Sequence, residues 1–131
     1  MLPALAVQRA IYRTLAEDDE LRALVSGVFD DVPEGTEFPY VVIGECTLIP
    51  DNYLTGFGRE VRATLHVWSR YRGFAEALEI ADRVCQLLDH QPLTVEGWEH
   101  IVTRLDFMET LHDPDPSLRH VPIQFSVIVA R

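Results

Sequence analysis

The chain has 131 residues, with 21 acidic side chains against 11 basic ones, a formal net charge of −10, and arginine as its only basic residue besides histidine. Proteins hold a phosphate backbone mainly through cations that displace its counterions, so this balance argues against direct nucleic-acid binding. A hydrophobic fraction of 47% fits a globular chain with one core, residues 1–131 forming a single domain. No apolar run comes near the ~20 residues that span a bilayer.

The N-terminal stretch "MLPALAVQRAIYRTL" lacks the basic start and cleavage site of a signal peptide and reads as an amphipathic helix, which implies an intracellular chain. Ala4, Val7, Ile11 and Leu15 recur at helical spacing over residues 3–15, with Pro3 in the first turn, where a missing N–H costs little. A short second helix follows in "EDDELRALVSG". Asp18 or Asp19 is placed to cap its start, Gly27 to close its end in a left-handed conformation, and Leu21, Leu24 and Val25 form its apolar edge.

In "VFDDVPEGTEFPYVVIGECTLI" a short strand, a Pro/Gly/acidic turn and a longer strand succeed one another, the second beginning near Tyr40 because Pro39 biases Phe38 toward extended backbone. Residues 50–58, "PDNYLTGFG", read as a loop that carries Tyr53, Leu54 and Phe57. Large apolar residues on a loop point to a contact. "REVRATLHVWSR" alternates cleanly, Val61, Ala63, Leu65 and Val67 on one face and Arg62, Thr64, His66 and Trp68 on the other.

After Gly73, the residues Ala77, Ile80, Ala81, Val84, Leu87 and Leu88 repeat at helical spacing up to Asp89, where "HQP" ends the helix. "LTVEGW" reads as a small strand and turn. Two further strands follow, one alternating Ile101, Thr103, Leu105 and Phe107 against Val102, Arg104, Asp106 and Met108, the other turning Val121, Ile123, Phe125, Val127 and Val129 inward. Their connector "HDPDPS" is turn chemistry. The order of elements lacks βαβ alternation, which predicts an α+β fold, an antiparallel or mixed sheet with helices packed on one face.

Candidate chemistry is sparse. His112, Asp113, Asp115 and His120 are close enough in sequence to suggest a divalent-metal site, but Asp-Pro turns use the same carboxylates to accept local N–H groups, which is the favoured reading. Cys46 and Cys85 carry neither a CxxC pattern nor a disulfide framework and are expected to be buried thiols; Cys85, on the apolar half of a helix, would be a poor nucleophile because desolvation raises a thiol pKa. No phosphate loop, HExxH or GxSxG motif is present. The chain is therefore read as a non-enzyme without cofactor or metal. Arg70 and Arg72, at the strand-to-helix corner beside Trp68, Tyr71 and Phe74, are either solvent-facing or aimed at carboxylates of a neighbouring subunit.

Three segments in order, "DDVPEGTEFPYVVIGE" (30–45), "LHVWSRYRGFAEALEIADRVCQLL" (65–88) and "TLHDPDPSLRHVPIQFSV" (110–127), make the chain resemble the tail-terminator or head-to-tail joining (tail completion) proteins of long-tailed phages, prophages and gene transfer agents. Pro116 follows the second Asp of the turn where members often have Gly. The resemblance implies a small α+β subunit that assembles with copies of itself, as a hexamer, into a ring at the head-proximal end of the tail. There it stops growth of the tube, meets the tail tube protein and the head–tail connector, and lets DNA pass without specific binding. Candidate contact residues are Tyr53, Leu54, Phe57, Arg59, Arg70, Arg72, Asp113 and Asp115. A small-molecule-binding or enzymatic α+β domain, and a generic oligomerisation adaptor, are the alternative readings.

Overall fold

The computed structural model of the chain describes residues 2–52 and 56–131. The elements in order are α1 (Ala4–Ala16), α2 (Asp19–Leu24), β1 (Val28–Phe29), β2 (Tyr40–Pro50), β3 (Gly58–Ser69), α3 (Ala75–Leu88), β4 (Glu99–Met108), β5 (Leu111–His112) and β6 (Arg119–Ala130). Among the described residues the strands form one mixed sheet in the order β1-β2-β3-β6-β4, with β5 beside the start of β6. Only β1 runs parallel to its neighbour; the other pairings are antiparallel. The last strand thus inserts between β3 and β4, and its twelve residues pair with β3 from Ser69↔Arg119 to Gly58↔Ala130.

The inward faces of β3 and β6 fall where their alternation places them. Val61, Ala63, Leu65 and Val67 meet Val121, Ile123, Phe125, Val127 and Val129 in one apolar cluster with Val7, Ile11 and Leu15 of α1 and Ile80, Ala81, Val84 and Leu88 of α3. All three helices lie on this one side of the sheet, as the alternating pattern requires: a strand apolar on only one face has only one face to cover. Leu93 and Val95, expected in a small strand, are buried in a non-strand segment that turns at Gly97, φ 81°. Their burial, not ladder pairing, accounts for the apolar pattern there.

The helix ends follow from local chemistry. The Asp18 carboxylate caps α2 by accepting the Leu21 N–H at 2.8 Å, and it also accepts two guanidinium N–H groups from Arg83 at 2.7 and 3.0 Å, tying α2 to α3. The hydrogen bonds from Arg83 are the chief reason the Asp18 carboxyl lies below its ordinary range. Gly27 does not take the left-handed conformation expected of it, since α2 ends into extended backbone at Val25. Glycine is needed there for room: a Cβ would come within 2.5 Å of the Phe29 ring.

The two lateral edges of the sheet differ. At β4 the loop after α3 closes the middle of the edge, the His90 N–H reaching the Thr103 carbonyl at 2.7 Å and the Asp89 carboxylate accepting the Leu105 N–H at 2.8 Å. At the other edge β1 pairs only with Val41 and Val42, and β2 then bulges between Ile43 and Cys46. Residues 44–47 are exposed, so Cys46 is not the buried thiol its sequence suggested. A strand that continues beyond its only outer neighbour leaves one side of its backbone unpaired.

Phe125→Ala should lower the unfolding free energy by about 3–5 kcal/mol, read by urea denaturation, because the ring is wholly buried at the centre of the sheet. Asp18→Asn keeps a capping oxygen but removes the charge. A carboxylate whose folded pKa is depressed stabilises at pH above its unfolded pKa, and that contribution disappears as pH falls through the folded value. The deficit of Asp18→Asn at pH 7 should therefore shrink steadily below the ordinary aspartate range, near pH 4.

Candidate functional site

The sheet places Phe57 and Arg59 at one end of its long strands and Arg70, Arg72, Asp113 and Asp115 at the other. Where β3 begins and β6 ends, Phe57 is 57% exposed, and its backbone pairs with Arg131 through hydrogen bonds in both directions. The Arg59 guanidinium lies 5.8 Å from the Phe57 ring and 6.0 Å from the Trp98 ring, and donates to the Asn52 side chain at 2.7 Å. With Arg131 and Leu2 these groups line a concavity of about 310 Å³. Glycine is required at position 58, because a Cβ would meet the Asp51 carbonyl oxygen at 2.0 Å. Tyr53 and Leu54 lie outside the described residues.

At the other end, the Arg70 guanidinium covers the Phe38 ring at 4.6 Å and Arg119 lies 5.8 Å from the ring of Phe74. Arg70 and Arg72 are exposed, as is Tyr71. The turn that follows β5 folds on its own carboxylates: Asp113 accepts the Asp115 N–H at 2.9 Å, and Asp115 accepts both the N–H and the hydroxyl of Ser117. The Ser117 N–H is the largest cause of the lowered pKa of Asp115, and the charge of Arg70 acts in the same direction. Corner and turn, predicted separately, are thus neighbours within one subunit.

His112 and His120 part company. The His112 ring meets Phe74 edge-on at 5.6 Å, whereas His120 stacks on Trp68 at 4.0 Å and joins a network on the helix-free face of the sheet. There His120 Nε2 and His66 Nδ1 are 2.7 Å apart, and His66 Nε2 is 2.6 Å from the Glu45 carboxylate. If His66 is neutral and donates to Glu45, its Nδ1 must accept from His120; protonating both rings would set N–H against N–H. Burial is the main cause of the lowered pKa of His120, opposed by Asp113, Glu45 and Glu109. The alternation did place His66 outward, but the long-range pairing of β3 with β6 that brings His120 beside it is not written in local sequence.

The rest of the helix-free face is a polar lattice. Glu60 receives Arg62 at 3.2 Å and Arg104 at 3.3 Å, while the buried Ser126 hydroxyl donates to Asp106. Hydrogen bonding and ion pairing here substitute for a second layer of helices. A concavity of about 460 Å³ lies instead between α1 and the start of β2, lined by Leu5, Gln8, Arg9, Tyr12, Arg13, Asp30 and Ile43.

The Cys85 thiol is half-buried, and desolvation, reinforced by Asp89 and Asp82, pushes its pKa up to about 11. A maleimide at pH 7.5 should label Cys46 rapidly and Cys85 at least about tenfold more slowly, since the thiolate is the reactive form. Peptide mass mapping of the labelled protein reads the two rates.

Comparison with known proteins supplies the remaining constraint. The family described as "Tail completion protein gp17" matches residues 9–130. The tail completion protein gp17 of Bacillus phage SPP1 is 28% identical over 128 residues, covering 96% of this chain and 95% of its own. The solved structure of SPP1 gp17 superposes with a TM-score of 0.69 over 97% of this chain and 91% of that one. A chain in the virion of a native gene transfer agent particle superposes with a TM-score of 0.91 at 25% identity, over 98% of both chains.

Proposed function

Since this chain belongs to the gp17 tail completion family, we propose that it is a structural virion protein that closes the head-proximal end of a phage-type tail as a ring of identical subunits, most simply six. The ring ends polymerisation of the tail tube on one side and offers the head connector a docking face on the other. The observation that carries this reading is the near-complete coincidence of the whole fold with a chain of an assembled gene transfer agent virion.

The physical character of the chain supports it. The titratable groups of the helix-free face are used in holding one another, through the Glu60 ion pairs and the Glu45–His66–His120 series. What remains available is shape: two different lateral edges, exposed rings at both strand ends, and arginines beside them. Unlike edges suit a head-to-tail contact, which closes into a ring when its rotation divides the circle. A stable contact of this type buries at least about 1,000 Å². The formal charge of −10 serves a channel through which DNA must slide, because cationic walls would hold the phosphates.

Phe57 and Arg59 at one end, and Arg70, Arg72, Asp113 and Asp115 at the other, are proposed, together with Tyr53 and Leu54, to meet neighbouring subunits, tube or connector. Phe57→Asp combined with Tyr53→Asp should weaken incorporation into tails while leaving the circular dichroism spectrum unchanged. Particles without the protein should carry tails of irregular length that fail to join heads. Normal tails and full infectivity in its absence would contradict the proposal.

A further inference from the structure

The sheet leaves one edge open and at the other ends in an exposed segment held to β6. At the open edge, α1 and the bulged part of β2 enclose a groove formed by the 460 Å³ concavity and an adjoining one of about 220 Å³, which share Leu5, Gln8 and Ile43. The smaller concavity passes Cys46 and reaches Val61 and Ala63, so apolar core residues line its floor. On the groove's outer wall Leu5 is 54% and Tyr12 45% exposed, with Arg9 and Arg13 alongside at helical spacing, two cations against the one acid of the lining, Asp30. The ion pairs among the described residues engage Arg22, Arg62, Arg83 and Arg104. Arg9 and Arg13 are outside them.

That segment, the arm, runs from the end of β4 through β5 to the start of β6; it pairs with β6 at Phe107, Met108, Leu111 and His112, and residues 106–112 and 114–117 are exposed. It carries Phe107, Met108 and Leu111 on its surface, together with Glu109, Asp113 and Asp115. These rings and aliphatic chains are not needed for the core. The capping of β4 at Thr103 and Leu105 blocks sheet-to-sheet pairing along the middle of that edge, and the arm begins just beyond the block. Arm and groove stand at opposite ends of the strand order β1-β2-β3-β6-β4, so one chain's arm is far from its own groove.

We propose that the arm of one subunit occupies the α1/β2 groove of the next. Phe107, Met108 and Leu111 cover Leu5, Tyr12 and Ile43, and the acids of the arm face Arg9 and Arg13. The match is apolar to apolar and acid to base between two unlike surfaces of one chain, the requirement for a head-to-tail contact. The inference rests on the ring reading above and names the surfaces that would close it.

A thiol cross-link tests it. Cys46 lines the groove, and Leu111→Cys adds a second exposed thiol on the arm. Particles carrying this variant, treated with a short bismaleimide, should give a ladder of dimer, trimer and higher species on denaturing gels; the same variant with Cys46→Ser should give none. Arg9→Glu with Arg13→Glu in that background should reduce the ladder about tenfold, and adding Glu109→Arg should restore part of it. Light scattering on the protein released from the same particles separates the outcomes. A multimeric mass without cross-links, or cross-links that stop at the dimer, overturns the arm contact and leaves the ring standing. A single-chain mass with no cross-link in intact particles overturns both.

Discussion

The sheet has helices on one face only, and most of the molecule's character follows from that asymmetry. On the covered side the apolar halves of β3 and β6 meet α1 and α3, and the wholly buried Phe125 sits among them. Hydrophobic burial of this kind is non-directional and would be served by any packing of the right volume. The direction comes from the uncovered side. Buried Thr64 and Ser126, the paired arginines on Glu60 and the Glu45–His66–His120 series each need a particular partner strand at a particular register. A slip of one residue of β6 against β3 would send Phe125 to the polar face and His120 into the core.

The same asymmetry explains how the reactive residue types among the described residues are engaged. His120 is stacked on Trp68 and hydrogen-bonded to His66; Asp113 and Asp115 hold their own turn; Cys85 is desolvated. Each candidate for chemistry is engaged by a neighbour for a local structural reason. Edges and end loops remain, and these are the parts of a sheet through which chains bind one another.

Local pattern was enough to read the long elements. The alternation of 59–69 and 119–130 and the helical repeat of 75–88 gave both the extents and the buried faces, because in each case one face meets the core along its whole length. Prediction failed where a neighbour is missing or the ladder is irregular. Cys46 has the sequence surroundings of a buried strand residue, but β1 stops at Phe29 and the bulge turns the chain outward. In β4 the register shifts twice, so that Ile101 and Phe107, which the alternation assigned with Thr103 to one face, are 54% and 43% exposed while Thr103 is buried. Of the contact residues, Phe57 was legible as an apolar residue on a loop. The α1/β2 groove was not, since it arises from the shortness of β1, a property of the pairing rather than of any segment.

The central claim is that this chain acts as a shape, in several copies, at one place in a particle. Electron cryo-microscopy of particles from a producing cell, at a resolution that traces strands, tests it most directly. The expected density is a closed ring of this fold between the last tail-tube layer and the connector, its subunits related by rotation about the tail axis. Density for this fold elsewhere in the particle, or as an isolated single copy, would contradict it.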